Sequence, residues 1–204
     1  MKLSACVIAK NEGKNIEKCI NSFIHAVDEV IVVDTGSTDD TVQLAGKYGA
    51  RILHYQWDDS FSNARNFALD HVSESCDWVV FLDCDEYFVE PKPGGLLKII
   101  KQVSADSRIN SILIPRNDID MNTGRIANTG HSIRIFKYAK EIRYKGSIHE
   151  NIKFGLQGPH SCVIPKEELF INHTGYSKEI LKSKAQRNLE LLLKDLDDGN
   201  DEPT

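Results

Sequence analysis

The run Trp78-Val79-Val80-Phe81-Leu82-Asp83-Cys84-Asp85-Glu86 joins an apolar stretch to two aspartates one residue apart. Five apolar residues in sequence read as a buried strand, and the aspartates lie where it reaches a sheet edge. Period two along an extended chain points Asp83 and Asp85 the same way and Cys84 the other way, into packing. Paired carboxylate oxygens suit a hard divalent cation such as Mg²⁺ or Mn²⁺. A cation held there could neutralise a diphosphate. Acidic strand ends are common, so the D-x-D pattern needs support from elsewhere in the chain.

That support comes from the elements around it. Leu3–Ala9 is an apolar run ending at Lys10-Asn11-Glu12-Gly13, and Ile16, Cys19, Ile20 and Phe23 then recur at helical spacing. Val30–Val33 is β-branched throughout, as in a parallel strand covered on both faces. It ends at Asp34-Thr35-Gly36-Ser37-Thr38-Asp39-Asp40, where Thr38 suits an N-cap and the aspartates suit the positive end of a helix through Val42, Leu44 and Ala45. Arg51–His54 reads as a third strand. Asp59 or Ser60 could cap a helix carrying Phe61, Ala64, Ala68 and Val72.

Alternation of strand and helix over the first 90 residues predicts an α/β domain with a largely parallel sheet. Ligands in such sheets bind outside the carboxyl ends of the strands. The clusters at Asn11/Glu12, Asp34 and Asp83/Asp85 all follow strand ends, so they should meet at one crevice. The second half is less regular. It predicts a helix near Leu96–Val103, short strands at Ser111–Pro115, His131–Phe136 and Asn151–Phe154, and loops around Asn117–Asn128. Ile180, Leu181, Ala185, Leu189 and Leu192 form an apolar stripe on a final helix, Ser177–Lys194, and an acidic tail follows.

Length fits one domain with an appendage. The net charge of -5 argues against electrostatically driven nucleic-acid binding. No apolar run approaches the roughly 20 residues of a membrane span. The five cysteines show no C-x-x-C pair and no framework spacing, which favours reduced thiols in a cytosol and disfavours zinc.

Several segments in order resemble family 2 glycosyltransferases: Ala9-Lys10-Asn11-Glu12, Val33–Thr41, Trp57, Phe61-Ser62-Asn63-Ala64-Arg65-Asn66, Phe81–Glu86, Arg143–Glu150 and His173-Thr174-Gly175-Tyr176. They are similar to the catalytic domains of bacterial tetratricopeptide-linked members, including those that S-glycosylate bacteriocin peptides. The resemblance implies a GT-A fold, an α/β nucleotide-diphospho-sugar transferase with a mixed sheet flanked by helices. It implies a catalytic domain over 1–176, then a helix and acidic tail over 177–204 of the kind that leads into repeats absent from this sequence.

The resemblance also implies inverting transfer of one sugar from a UDP-sugar, assisted by Mn²⁺ or Mg²⁺. Glu150 matches the catalytic base. Asp85 and His173 match metal ligands. Ala9, Asn11, Glu12, Asp34, Ser37, Arg65, Asp83 and His149 match donor-binding positions, with Asp34 accepting from the uracil N3–H. Arg65 contacts the diphosphate or orients a D-x-D carboxylate. His149 touches phosphate or supports a residue that does.

A Q-x-x-R-W motif, typical of processive members, is missing. Single-sugar transfer to a peptide, protein or cell-surface glycan is therefore expected. The expected location is the cytoplasm, free or peripheral to the inner membrane face, with a homodimer through the last helix left open. The competing class is a sugar-nucleotide-binding module without transfer. A nucleotidyltransferase would need a glycine-rich basic loop, which Lys10–Lys14 is not.

Overall fold

The computed structural model describes residues 1–146 and 150–176, together with Ala185 and Leu189. The N-terminal half runs β1 (Leu3–Ala9), α1 (Ile16–Asn21), β2 (Glu29–Asp34), α2 (Thr41–Lys47), β3 (Arg51–His54), α3 (Phe61–Asp70) and β4 (Trp78–Asp83). Then come β5 (Glu86–Val89), α4 (Gly95–Ser104), β6 (Ser111–Asp120), β7 (Arg125–Lys137), β8 (Arg143–Lys145), β9 (Asn151–Lys153), β10 (Ser161–Val163) and β11 (Phe170–His173). The main sheet has the order β3-β2-β1-β4-β7-β6-β11-β5, with β10 also on β6, and β8 pairs with β9 separately.

The four N-terminal strands are parallel, as the alternation of strand and helix predicts. Beyond β4 the sheet turns mixed: β7 is antiparallel to β4, β6 to β7, and β11 is parallel to β6. Along β1, Ala5, Val7 and Ala9 enter the core shared with α1, α2 and α4, whereas Cys6 enters the core shared with α3 and β8. This alternation buries the strand on both faces. The apolar stripe of α4, formed by Leu96, Ile99, Ile100 and Val103, is buried as its spacing predicts.

Three local expectations are corrected. Thr38 does not cap α2; the helix starts at Thr41, and Thr38 N instead donates to Asn11 Oδ1 at 2.8 Å. The D-x-D is not one extended stretch, since β4 stops at Asp83 and residues 84–85 turn before β5. Residues 117–128 form the outer end of a long β6–β7 hairpin, strand on both sides of a turn, rather than loops. The expected final helix and its pairing face lie outside the described residues apart from Ala185 and Leu189, both helical and exposed. Among the described residues no helix is long and apolar enough to cross a membrane.

Candidate active site

A cavity of about 450 Å³ opens over the carboxyl ends of β1 and β4. The β1–β4 register sets Ile8 beside Asp83, so the loop after β1 and the turn after β4 face the same space. Cys84, between the two aspartates, packs back with its thiol donating to Ile8 O at 3.2 Å.

Helix α3 supplies the centre of the site. Ser60 caps it, with its side chain accepting from Asn63 N at 3.2 Å, while Asp59 takes the left-handed conformation just before. The cap aims Arg65 inward, where it is only 4 % exposed. Its guanidinium lies over the rings of Phe81 and Tyr144, 4.9 and 5.2 Å from their centroids. Arg65 Nη2 donates to Asp83 Oδ1 at 2.6 Å and Nε to Glu150 Oε1 at 2.5 Å. These bonds set Arg65 against one D-x-D carboxylate and Glu150, while its Nη1 is buried without a hydrogen-bond partner among the described residues.

Arg134, on β7, donates from Nη2 to Asp83 Oδ2 at 2.8 Å and to Glu86 Oε1 at 2.7 Å. Glu86 also accepts from Asp83 N. Burial pushes the Asp83 carboxyl up, but Arg65 and Arg134 outweigh it and hold the group well below the usual carboxylate range. Arg134 was not anticipated. Its signal was an arginine between Ile133 and Ile135, because a charge inside an apolar strand needs buried partners.

Asp85 and His173 meet across the turn, with Asp85 Oδ2 and His173 Nε2 3.3 Å apart. His173 Nδ1 lies 3.0 Å from Asp118 Oδ1, which is fully buried. Thr174 fastens the arrangement, since its N–H and hydroxyl both donate to Asp85 O, at 2.8 and 3.0 Å. Burial pulls the His173 imidazolium down, yet the bonds to Asp85 and Asp118 and the nearby Glu86 raise it overall. Among the described residues no group of three or more His, Cys, Asp or Glu gathers as a metal cluster. One carboxylate and one imidazole fit a cation that completes its shell with ligand oxygens and water. Asp118 fixes the far ring nitrogen, as carboxylates behind metal-binding histidines commonly do.

The residues expected on the nucleotide side behave differently. Ala9 and Glu12 line the cavity, and Trp57 and Phe61 form an edge-to-face aromatic wall on it with centroids 4.8 Å apart. Asn11, Asp34 and Ser37 are not among its lining residues; Asn11 and Ser37 tie two loops together, and Asp34 closes its own turn. Asn11, at φ 56°, donates from its N–H to Ser37 Oγ at 2.9 Å. Asp34 is buried and accepts from the N–H groups of Gly36 and Ser37 at 3.1–3.3 Å, closing a turn that Gly36 enables at φ 103°. His149 lies outside the described residues.

A mixed sheet in this order, flanked by helices and carrying its polar cavity over the parallel strand ends, is the GT-A glycosyltransferase architecture. The family model for glycosyl transferase family 2 matches residues 4–160, and the chain belongs to that family. Over 190 residues it is 29% identical to the SPbeta prophage-derived glycosyltransferase SunS of Bacillus subtilis, covering 91% of this chain and 43% of SunS. Over 189 residues it is 30% identical to a TPR repeat-containing protein of Synechococcus elongatus, covering 90% of this chain and 45% of that protein. The chain thus spans less than half the length of these two curated relatives. S. aureus TarS 1-349, crystallised with UDP-GlcNAc, superposes with a TM-score of 0.65 at 20% identity over 90% of this chain and 61% of TarS, a likeness of fold.

Proposed function

We propose that residues 1–176 form the catalytic domain of an inverting, metal-assisted transferase that moves one sugar from a UDP-sugar to an acceptor. The observation that carries the reading is the joining of Glu150, Arg65 and Asp83 in one cavity with the Asp85–His173 pair. Glu150 accepts the proton of the acceptor nucleophile as that nucleophile attacks the anomeric carbon from the face opposite UDP. The acceptor–carbon bond forms while the carbon–phosphate oxygen bond breaks, and UDP leaves with the electron pair. General-base help of this kind is worth roughly 10²–10⁴-fold. Arg65 holds Oε1 of Glu150 still, and Asp83, gripped by both arginines, presents a fixed carboxylate to ribose or donor sugar.

Asp85 and His173 would hold Mn²⁺ or Mg²⁺, which when bound supplies Lewis-acid stabilisation of the leaving diphosphate. Charge supports a requirement for it. Glu12, Asp83, Asp85, Glu86 and Glu150 line the cavity with Lys10, Arg65, Arg116, Arg134 and His173, and most of these basic groups are already paired with carboxylates. A diphosphate entering that lining without a cation meets little positive charge that is not already neutralised. The UDP-GlcNAc bound by TarS makes UDP-sugars the first donors to try. Similarity of the motifs to peptide S-glycosyltransferases favours a peptide or protein acceptor, with cell-surface glycans next. Unpaired cysteines support a reducing, cytoplasmic setting.

The test is donor turnover followed by NMR. With an α-linked UDP-sugar and Mn²⁺, the first sugar released or transferred should be β-configured, and Glu150→Gln should slow it at least a hundredfold, on the order of a general base's contribution. An α-configured first product would overturn inversion; full activity in Glu150→Gln would overturn the base.

A further inference from the structure

The carboxylates of the cavity tie up its arginines. Arg65 is held by Asp83 and Glu150, Arg134 by Asp83 and Glu86, and Arg116 by Asp118 at 2.9 Å. Each guanidinium is already matched by an anion, so none offers a diphosphate an unneutralised charge. Lys10 is different. It lines the same cavity, is exposed, and has no carboxylate within ion-pairing distance among the described residues.

Its backbone is held on both sides. The carbonyl of Ala9 accepts from the N–H and hydroxyl of Thr35 at 2.9 and 3.2 Å. Asn11 is locked in the left-handed conformation by its bonds to Ser37 and Thr38. The loop-tying role of Asn11, Ser37 and Thr38 therefore has a consequence at the residue between them. It fixes the backbone of a lysine whose side chain lines the same cavity as Asp85. An ammonium is a compact point charge with three donors, suited to phosphate oxygens and indifferent to their exact angle.

Resting on the donor reading above, we infer that Lys10 binds the donor diphosphate as the cavity's one uncommitted cation among the described residues, supplementing the metal. Its contribution must then follow phosphate and not base or ribose. The test is calorimetric titration of UDP with Mn²⁺ into wild type, Lys10→Met and Lys10→Arg, with thermal shift in millimolar uridine as the phosphate-free control. Met keeps the stem and removes only the charge at an exposed position.

Loss of a charged hydrogen bond should weaken UDP binding about tenfold or more in Lys10→Met. Lys10→Arg should stay within about threefold, and the uridine response should not change. Wild-type affinity for UDP in Lys10→Met, or an equal loss toward uridine, would overturn the inference while leaving the donor reading intact. Failure of wild type itself to bind UDP would overturn both.

Discussion

Arg65→Met removes a charge from between two carboxylates while keeping much of the apolar contact with Phe81 and Tyr144. Arg65 is 4 % exposed and bridges Asp83 at 2.6 Å and Glu150 at 2.5 Å. Breaking a buried ion pair from one side costs roughly 3–5 kcal/mol, because the partner charge is left uncompensated. Asp83 keeps Arg134 at 2.8 Å, so the loss falls chiefly on Glu150 and the cost should be about 3 kcal/mol. For a domain of this size, roughly 2–4 °C accompanies each kcal/mol, giving a fall in Tm of about 6–12 °C.

Adding Glu150→Gln removes the stranded charge, so the double variant should be about 1–2 kcal/mol more stable than the sum of the two singles. The pH dependence has a definite sign. The folded Asp83 carboxyl lies below its unfolded value, so its stabilisation is complete above the ordinary carboxylate pKa of about 4 and disappears as pH falls through the folded value. The gap between wild type and Arg65→Met should be widest at neutral pH and narrow below about pH 4. Thermal and urea unfolding of the four proteins is the assay. A Tm for Arg65→Met within about 2 °C of wild type, or strict additivity in the cycle, would refute the reasoning.

Other perturbations test the supports of the site. Asp118→Asn should lower Mn²⁺ affinity about 10–100-fold by calorimetry, because Asp118 fixes the ring of His173. Asn66 bonds Tyr144 through both the N–H and the C=O of its backbone, each at 2.9 Å, and Ser62 on the same helix bonds Gly146 O, so α3 anchors the chain leading to Glu150. Asn66→Ala should cost about 2 kcal/mol and lower kcat more than it raises KM in steady-state donor turnover. Gly36→Ala should cost roughly 1–3 kcal/mol in urea melts; the added methyl meets nothing within 4 Å, so the penalty is that of φ 103° alone.

The parallel half of the fold was legible because β1, β2 and β4 are continuous apolar runs closed by polar strand ends. The far half was legible only in part: α4 and pieces of β6, β7 and β9 were expected, but not the outer part of the β6–β7 hairpin. Arg125–Thr129 of β7 is exposed throughout, Ile126 included, so its strand character comes from pairing with β6 and not from a buried hydrophobic period. In the site, the D-x-D pattern pointed to Asp85 and the family resemblance to His173 and Glu150, but neither pointed to the partners that hold these side chains. Arg134 and Asp118 come from strands distant in sequence, and the β6–β11 register that puts Asp118 beside His173 is a tertiary fact. Asp34 and Asn11, expected as donor contacts from their places after strand ends, also serve the backbone: Asp34 accepts within its own turn, and Asn11 bonds the neighbouring loop.

Whether this cavity holds a nucleotide diphosphate through a cation on Asp85 and His173 is tested most directly by titrating UDP calorimetrically with and without Mn²⁺, into wild type and Asp85→Ala. UDP should bind wild type only with Mn²⁺, and Asp85→Ala should lose that binding while keeping a cooperative melt. At UDP about 100 times its dissociation constant, the wild type should gain roughly 2.7 kcal/mol of stability. UDP binding that needs no cation, or that survives Asp85→Ala unchanged, would contradict the assignment.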